Sequence, residues 1–329
     1  MSIVFSRRGL VAAGALLPLA SPSILRAQGA AWPTKSLRII CAFPAGGITD
    51  AFARAYGEYI GQKSGQTVVV ENRPGAGGGI AAQAMKSAPD DAHTIMITIS
   101  TTLFGNRVMF KSLAYDPDKD FSLLALLPTG SLPLVAAKAT GASNIAQFVD
   151  YARKNRISFG SYAAGSMAHI VCNKLNQQFG LDMTVVNYRG EAPMWQDVLT
   201  GNSQIALGSY TAAKAVLDAS AGTAIAIPST RRMRVLPNAQ TFQEQGLDNP
   251  VFRLLSWVGF LGTSSIPQPM VETISNLMLE AARTERIQKL NETFGIDDPV
   301  LGHADFKKVY DTEGPIWIEN VKALGLTPA

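Results

Sequence analysis

Short apolar runs alternate with amphipathic stretches along this chain, and that alternation limits its fold more than any other feature. Leu37–Phe43 reads as a buried strand, and Gly46-Gly47 leads into a helix from about Thr49 to Gln62 with Phe52, Tyr56, Tyr59 and Ile60 on one face. Thr67–Glu71 is a second strand, Asn72–Gly79 a loop, Ile80–Ser87 a short helix and Thr94–Ile99 a third strand. A β-α-β-α-β order predicts a parallel sheet with helices on both faces. After Tyr115–Phe121 the pattern restarts. Strands are expected at Pro133–Ala137, Ile157–Gly160, Met183–Asn187, Ser203–Leu207 and Ala224–Ile227. Helices lie between them: one capped by Ser143, then Met167–Phe179, Ala192–Leu199 and Ala212–Ala219. Trp257–Leu261 then runs into helices near Pro269–Arg283 and Ala304–Leu324. Two successive α/β units imply two lobes, and a tail with no strands of its own is expected to pack back on the first.

The first thirty residues fit an address rather than a fold. Ser6-Arg7-Arg8 precedes an apolar stretch, Gly9–Ala20, of about a dozen residues, and small residues follow at Ala27, Gly29, Ala30 and Ala31. The stretch is shorter than the roughly 20 residues that span a bilayer, so an export signal is expected over residues 1–29, cleaved near residues 27–31. The arginine pair placed before the apolar run favours the twin-arginine route over an ordinary Sec signal. The expected product is soluble and periplasmic. Three of the four net positive charges of the 329-residue chain are Arg7, Arg8 and Arg26, so the exported body is close to neutral and lacks the basic face that nucleic acid requires. Two cysteines exclude a disulfide scaffold, and Cys41 and Cys172, each among apolar neighbours, read as buried free thiols. Three scattered histidines give no metal motif, and no metal or cofactor is expected.

Ligands of open α/β sheets sit beyond the carboxyl ends of the strands, and small and hydroxyl residues gather there. The candidates in the first unit are Phe43, Pro44, Gly46, Gly47, Thr49 and Asp50, then Gly75 and Gly77, then Ser100 and Thr101. In the second unit they are Gly165, Ser166 and His169, then Arg189 and Gly190. Loops that open a helix offer free N–H groups and the positive end of the helix dipole, which suit an anion. Each candidate also has a plainer role. Gly46-Gly47 turns the chain, Thr49 is an N-cap, Asp50 suits any first helical turn, Arg189 suits a surface and His169 packs or caps. The run Gly75–Gly79 departs from the dinucleotide fingerprint, because Ile80 stands at its last glycine. No G-x-S-x-G, S-x-x-K, H-E-x-x-H, Walker A or C-x-x-C is present, which argues against an enzyme.

Taken in order, Trp32–Lys35, Phe43–Asp50, Val69–Gly78, Tyr115–Phe121, Phe159–His169, Tyr188–Pro193, Val235–Asn238, Ser256–Gly259 and the Trp317 tail resemble one family. This is the family of Bug-type periplasmic substrate-binding proteins of tripartite tricarboxylate transporters. The resemblance implies a two-lobed, type II Venus-flytrap α/β fold of the periplasmic-binding-protein class, each lobe a mostly parallel sheet flanked by helices. Lobe 1 is expected over residues 30–132, lobe 2 over 133–256, and the chain returns to lobe 1 over 257–329. It implies a monomer that holds a small carboxylated acid between the lobes, closes on hinges near residues 131–136 and 254–260, and delivers its ligand to a membrane permease. The first-lobe loops would line one side of the cleft, and the loops of Gly165-Ser166 with His169 and of Arg189-Gly190 the other. Two departures bear on ligand identity: Ile48 stands where the family carries a hydroxyl, and Ala206 where an acid is common. The alternatives are an exported hydrolase using Ser166 and His169, and a solute sensor without a transporter.

Overall fold

The computed structural model describes Met1 and residues 32–329 apart from Arg189 and Leu255. Beyond Met1, the expected export signal and its cleavage region lie outside the described residues.

The chain first builds β1 (Leu37–Cys41), α1 (Ile48–Ser64), β2 (Val68–Asn72), α2 (Gly79–Lys86), β3 (Thr94–Ile99), the short α3 (Asn106–Met109) and β4 (Phe121–Pro128). It crosses into β5 (Leu134–Ala137), α4 (Ile145–Ala152), β6 (Ser158–Ser161), α5 (Met167–Phe179) and β7 (Thr184–Asn187). That lobe is completed by α6 (Glu191–Thr200), β8 (Ile205–Leu207), α7 (Tyr210–Asp218) and β9 (Gly222–Ala226). The return brings β10 (Trp257–Thr263), α8 (Gln268–Ala281), α9 (Glu285–Phe294), β11 (Leu301–Gly302) and α10 (His303–Lys322). A six-stranded sheet in the order β11-β4-β10-β3-β1-β2 and a five-stranded sheet in the order β7-β6-β8-β5-β9 form the two α/β lobes.

Both sheets are mixed. β1 pairs parallel with β2 and β3, while β10 runs antiparallel between β3 and β4. In the second sheet β6 pairs parallel with β7 and β8, while β5 runs antiparallel between β8 and β9. The reversed strands β5 and β10 are thus those on which the chain enters a lobe from its neighbour. β1 and β3 are buried along almost their whole length because helices cover both faces, which is why they read as unbroken apolar runs. α1 buries Phe52, Tyr56 and Ile60, four residues apart, and sets the Tyr56 ring 5.3 Å from that of Phe260 on β10.

Most expected elements form within a residue or two of their limits. The eight-residue strand β4 was not expected. Its run Phe-Ser-Leu-Leu-Ala-Leu-Leu-Pro has no period because the strand is covered on both faces. Leu123 and Leu126 join one apolar cluster, and Leu124, Ala125 and Leu127 the other. α3, α9 and β11 were also unforeseen, and the tail therefore contributes strands after all: β10 inside the first sheet and β11 at its edge. The cap of α4 is Asn144, whose side chain accepts from the Gln147 N–H at 2.9 Å; Ser143 instead donates both its N–H and its hydroxyl to Gln147 Oε1. Cys41 and Cys172 are free and buried, and burial pushes the Cys172 thiol up to about 12. Among the described residues no helix is long and apolar enough to cross a membrane.

Candidate functional site

A cavity of about 440 Å³ lies where the ends of the two sheets meet. Its first-lobe wall starts with Gly46, Gly47 and Ile48, where β1 passes into α1, and continues with Ile99, Ser100 and Thr101 at the end of β3. Thr129 follows β4, and Ser256, Trp257 and Val258 lead into β10. Because β10 runs antiparallel, its amino end reaches the edge of the sheet where β1 and β3 present their carboxyl ends. The second-lobe wall is Tyr162 after β6, Met167 at the start of α5, Glu191 at the start of α6, and Ser209 and Thr211 at the start of α7. Phe294 and Trp317 close it from α9 and α10. The lining is therefore apolar and aromatic, with hydroxyls and helix starts spaced around it, as small-molecule sites usually are.

The loop carrying Gly46 and Gly47 is held from behind by Asp50. One carboxylate oxygen of Asp50 accepts from the Gly46 N–H at 3.0 Å and from Arg54 Nε at 3.0 Å; the other accepts from Asn72 Nδ2 at 2.9 Å. Asn72 Nδ2 also donates to the Phe43 carbonyl at 3.0 Å, which ties both ends of the loop to the end of β2. Burial alone would raise the Asp50 carboxyl, but the hydrogen bonds from Arg54, Gly46 and Asn72 outweigh it and hold it below the usual carboxylate range. Gly46 has φ +88°, a left-handed conformation that L side chains disfavour, and it turns the chain so that α1 starts at the cavity.

The second glycine loop serves the scaffold. The Gly77 carbonyl accepts from Thr102 Oγ1 at 2.8 Å and from Asn106 Nδ2 at 3.1 Å, and Asn106 Nδ2 also reaches Tyr115 Oη at 2.9 Å. A Cβ built on Gly78 would lie 2.2 Å from Thr102 Oγ1, so only glycine lets this loop approach the end of β3.

Of the residues singled out in the sequence, Gly46, Gly47, Ser100 and Thr101 line the cavity. Phe43, Pro44, Thr49 and Asp50 belong to the same turn without lining it. Thr49 is buried in the first turn of α1, whose N-cap is Gly47, so it is not the cap that its hydroxyl suggested. Gly75 and Gly77 follow β2, which is the edge strand and stands one strand farther out than β1. Gly165 packs against Met109 of the first lobe and donates its N–H to His169 Nδ1 at 3.3 Å, so Nδ1 accepts; burial lowers the His169 pKa. Ser166 shares a hydrogen bond of 3.0 Å with Ser161 and has no hydrogen bond to His169 among the described residues. Gly190 is the N-cap of α6, donates to the Tyr162 carbonyl at 3.1 Å and does not line the cavity, while Arg189 lies outside the described residues. No cluster of ligating side chains that could hold a metal occurs among the described residues.

Two groups stand out among the lining residues that sequence reasoning missed. Tyr162, Met167 and Glu191 lie within a few residues of the chosen positions. Ser256, Trp257 and Val258 enter from the amino end of an antiparallel strand, where the rule of carboxyl ends does not look.

A model of the family described as "Tripartite tricarboxylate transporter family receptor" matches residues 52–326. A UPF0065 protein encoded in the tcbD-tcbE intergenic region of Pseudomonas sp. (strain P51) is 30% identical over 292 residues, covering 88% of this chain and 86% of the relative. Among solved structures, R. palustris Rpa4515 with adipate is 25% identical with a TM-score of 0.77, covering 91% of this chain and 100% of that one. MatC (Rpa3494) from Rhodopseudomonas palustris with bound malate is 26% identical with a TM-score of 0.71, covering 88% and 99%.

Proposed function

We propose that this chain, which belongs to the tripartite tricarboxylate transporter family of receptors, captures a small carboxylated organic acid in the cavity between its lobes and delivers it to a membrane permease. It acts as a binding protein and transforms nothing. The observation that carries this reading is the cavity itself, walled by both lobes and rimmed by the start of α1, a 17-residue helix whose free N–H groups and dipole favour an anion. The Gly47 N–H at the start of α1 takes a carboxylate, helped by the hydroxyls of Ser100 and Thr101, while Ile48, Ile99 and Phe294 cover the apolar body. Two proteins of similar structure hold adipate and malate, both carboxylates.

Capture requires the lobes, assigned to residues 30–132 with 257–329 and to 133–256, to move about the two crossings between them, near residues 131–136 and 254–260. A ligand that touches both lobes favours the closed state and shifts the population toward it. Export by the amino-terminal signal, cleavage near residues 27–31 and action as a periplasmic monomer complete the proposal. A panel of mono- and dicarboxylates, screened by thermal shift and then by calorimetry, tests it. At a hundredfold excess over Kd a true ligand stabilises the fold by about 2.7 kcal/mol. An intact protein that no acid stabilises would remove the reading.

A further inference from the structure

The cavity holds a charge that a trap built only for anions would not carry. Among the described lining residues, Glu191 is the one with a formally charged side chain. It is the first residue of α6, and its carboxylate accepts from the Ser209 N–H at 3.0 Å and from the Ser209 hydroxyl. Ser209 is the N-cap of α7. The carboxylate is thus fixed where two helices begin, at helix ends that favour negative charge. A carboxylate offers about four acceptor positions, and Ser209 uses two of them. A second carboxylate brought against the rest would meet repulsion in a site that closure shields from water. An ammonium brought there would form a charge-assisted hydrogen bond.

We propose that Glu191 determines the specificity of this site, and that the ligand is an organic acid which also carries an ammonium group. This rests on the carboxylate-binding reading above and narrows it: the α1 start on the first lobe takes the carboxylate, and Glu191 on the second takes the ammonium. Each charged end then engages a different lobe, so a zwitterion gains its full set of contacts only when the lobes close. Hydroxyls of Ser209 and Thr211 supply further acceptors beside Glu191.

Calorimetry on the full chain tests this with matched ligands. The ammonium acids are leucine and ε-aminocaproate; the comparison acids are adipate and hexanoate. The wild-type chain is expected to bind at least one ammonium acid about tenfold or more tighter than adipate. Glu191→Gln, which keeps the size and one acceptor oxygen, is expected to abolish that preference while hexanoate affinity stays within about threefold. Glu191→Asp keeps the charge and is expected to retain the sign of the preference, with circular dichroism reporting whether each variant folds. If adipate or hexanoate binds the wild-type chain as tightly as both ammonium acids, or if Glu191→Gln leaves the preference intact, the assignment of Glu191 is overturned while the carboxylate reading stands. If none of the four acids binds and the wider carboxylate panel also fails, the carboxylate reading falls and this inference falls with it.

Discussion

Asp50 lies buried beneath the turn that rims the cavity, and three different elements donate to its carboxylate. Its replacement by alanine takes one partner from the exposed Gly46 N–H, the half-buried Asn72 amide and Arg54. Urea denaturation of Asp50→Ala is therefore expected to show a loss of about 1–2 kcal/mol. The charge adds a pH dependence whose sign follows from the lowered native pKa. A carboxyl lowered on folding contributes stability that is complete above its unfolded value, about 3.9, and that fades as pH falls through the lower native value. The stability gap between wild type and Asp50→Asn should accordingly be largest near neutrality and shrink in strong acid. A gap independent of pH would mean that the ionic part of this contact contributes nothing.

At the scale of elements, the contact between the second glycine loop and the end of β3 is the tightest of those that the glycines make possible. Gly78→Ala combines a left-handed φ of +88° with a Cβ 2.2 Å from Thr102 Oγ1. The conformational cost of about 1–2 kcal/mol and the overpacking cost of about 1–3 kcal/mol together predict a loss of about 2–5 kcal/mol in urea unfolding. Recovery of stability in the double variant with Thr102→Ala would attribute the overpacking part to that hydroxyl. The same elements show what the residues disclosed about the fold and what they concealed. β3 could be read to the residue, Thr94–Ile99, because glycine and proline bounded its neighbours and its length suited a strand. β4 could not, because a strand covered on both faces loses the alternation that betrays a half-buried one. For the site, the glycine turn before α1 and the hydroxyls after β3 were visible in local sequence. Trp257, Phe294 and Trp317 were not, because nothing in their own segments shows that β10, α9 and α10 meet the cavity.

At the scale of the whole molecule, the two lobes are joined at strands in the interior of each sheet and tied by ion pairs. The first crossing leaves β4 and enters β5, each of which has neighbours on both sides, and the return lands on β10 between β3 and β4. Arg231 and Arg234, on the segment between β9 and β10, pair with Asp298 and Asp297 beyond α9, and the Arg234 N–H also donates to Asp297 at 2.9 Å. Unfolding one lobe therefore also breaks these ion pairs to the other. Scanning calorimetry is expected to give one transition whose calorimetric and van't Hoff enthalpies agree, shifted upward as a whole by a bound acid. Two resolved transitions, with only one of them responding to ligand, would show that the lobes melt independently.

These internal crossings also decide where the molecule can accept foreign sequence. A fluorescent reporter spliced into either crossing would displace Thr129, Leu132 or Ser256 and disturb the cavity it was meant to report on. The exposed turn at Gly180, between α5 and the edge strand β7, has open space where a side chain would project and interrupts no ladder. A biosensor built on this protein belongs there.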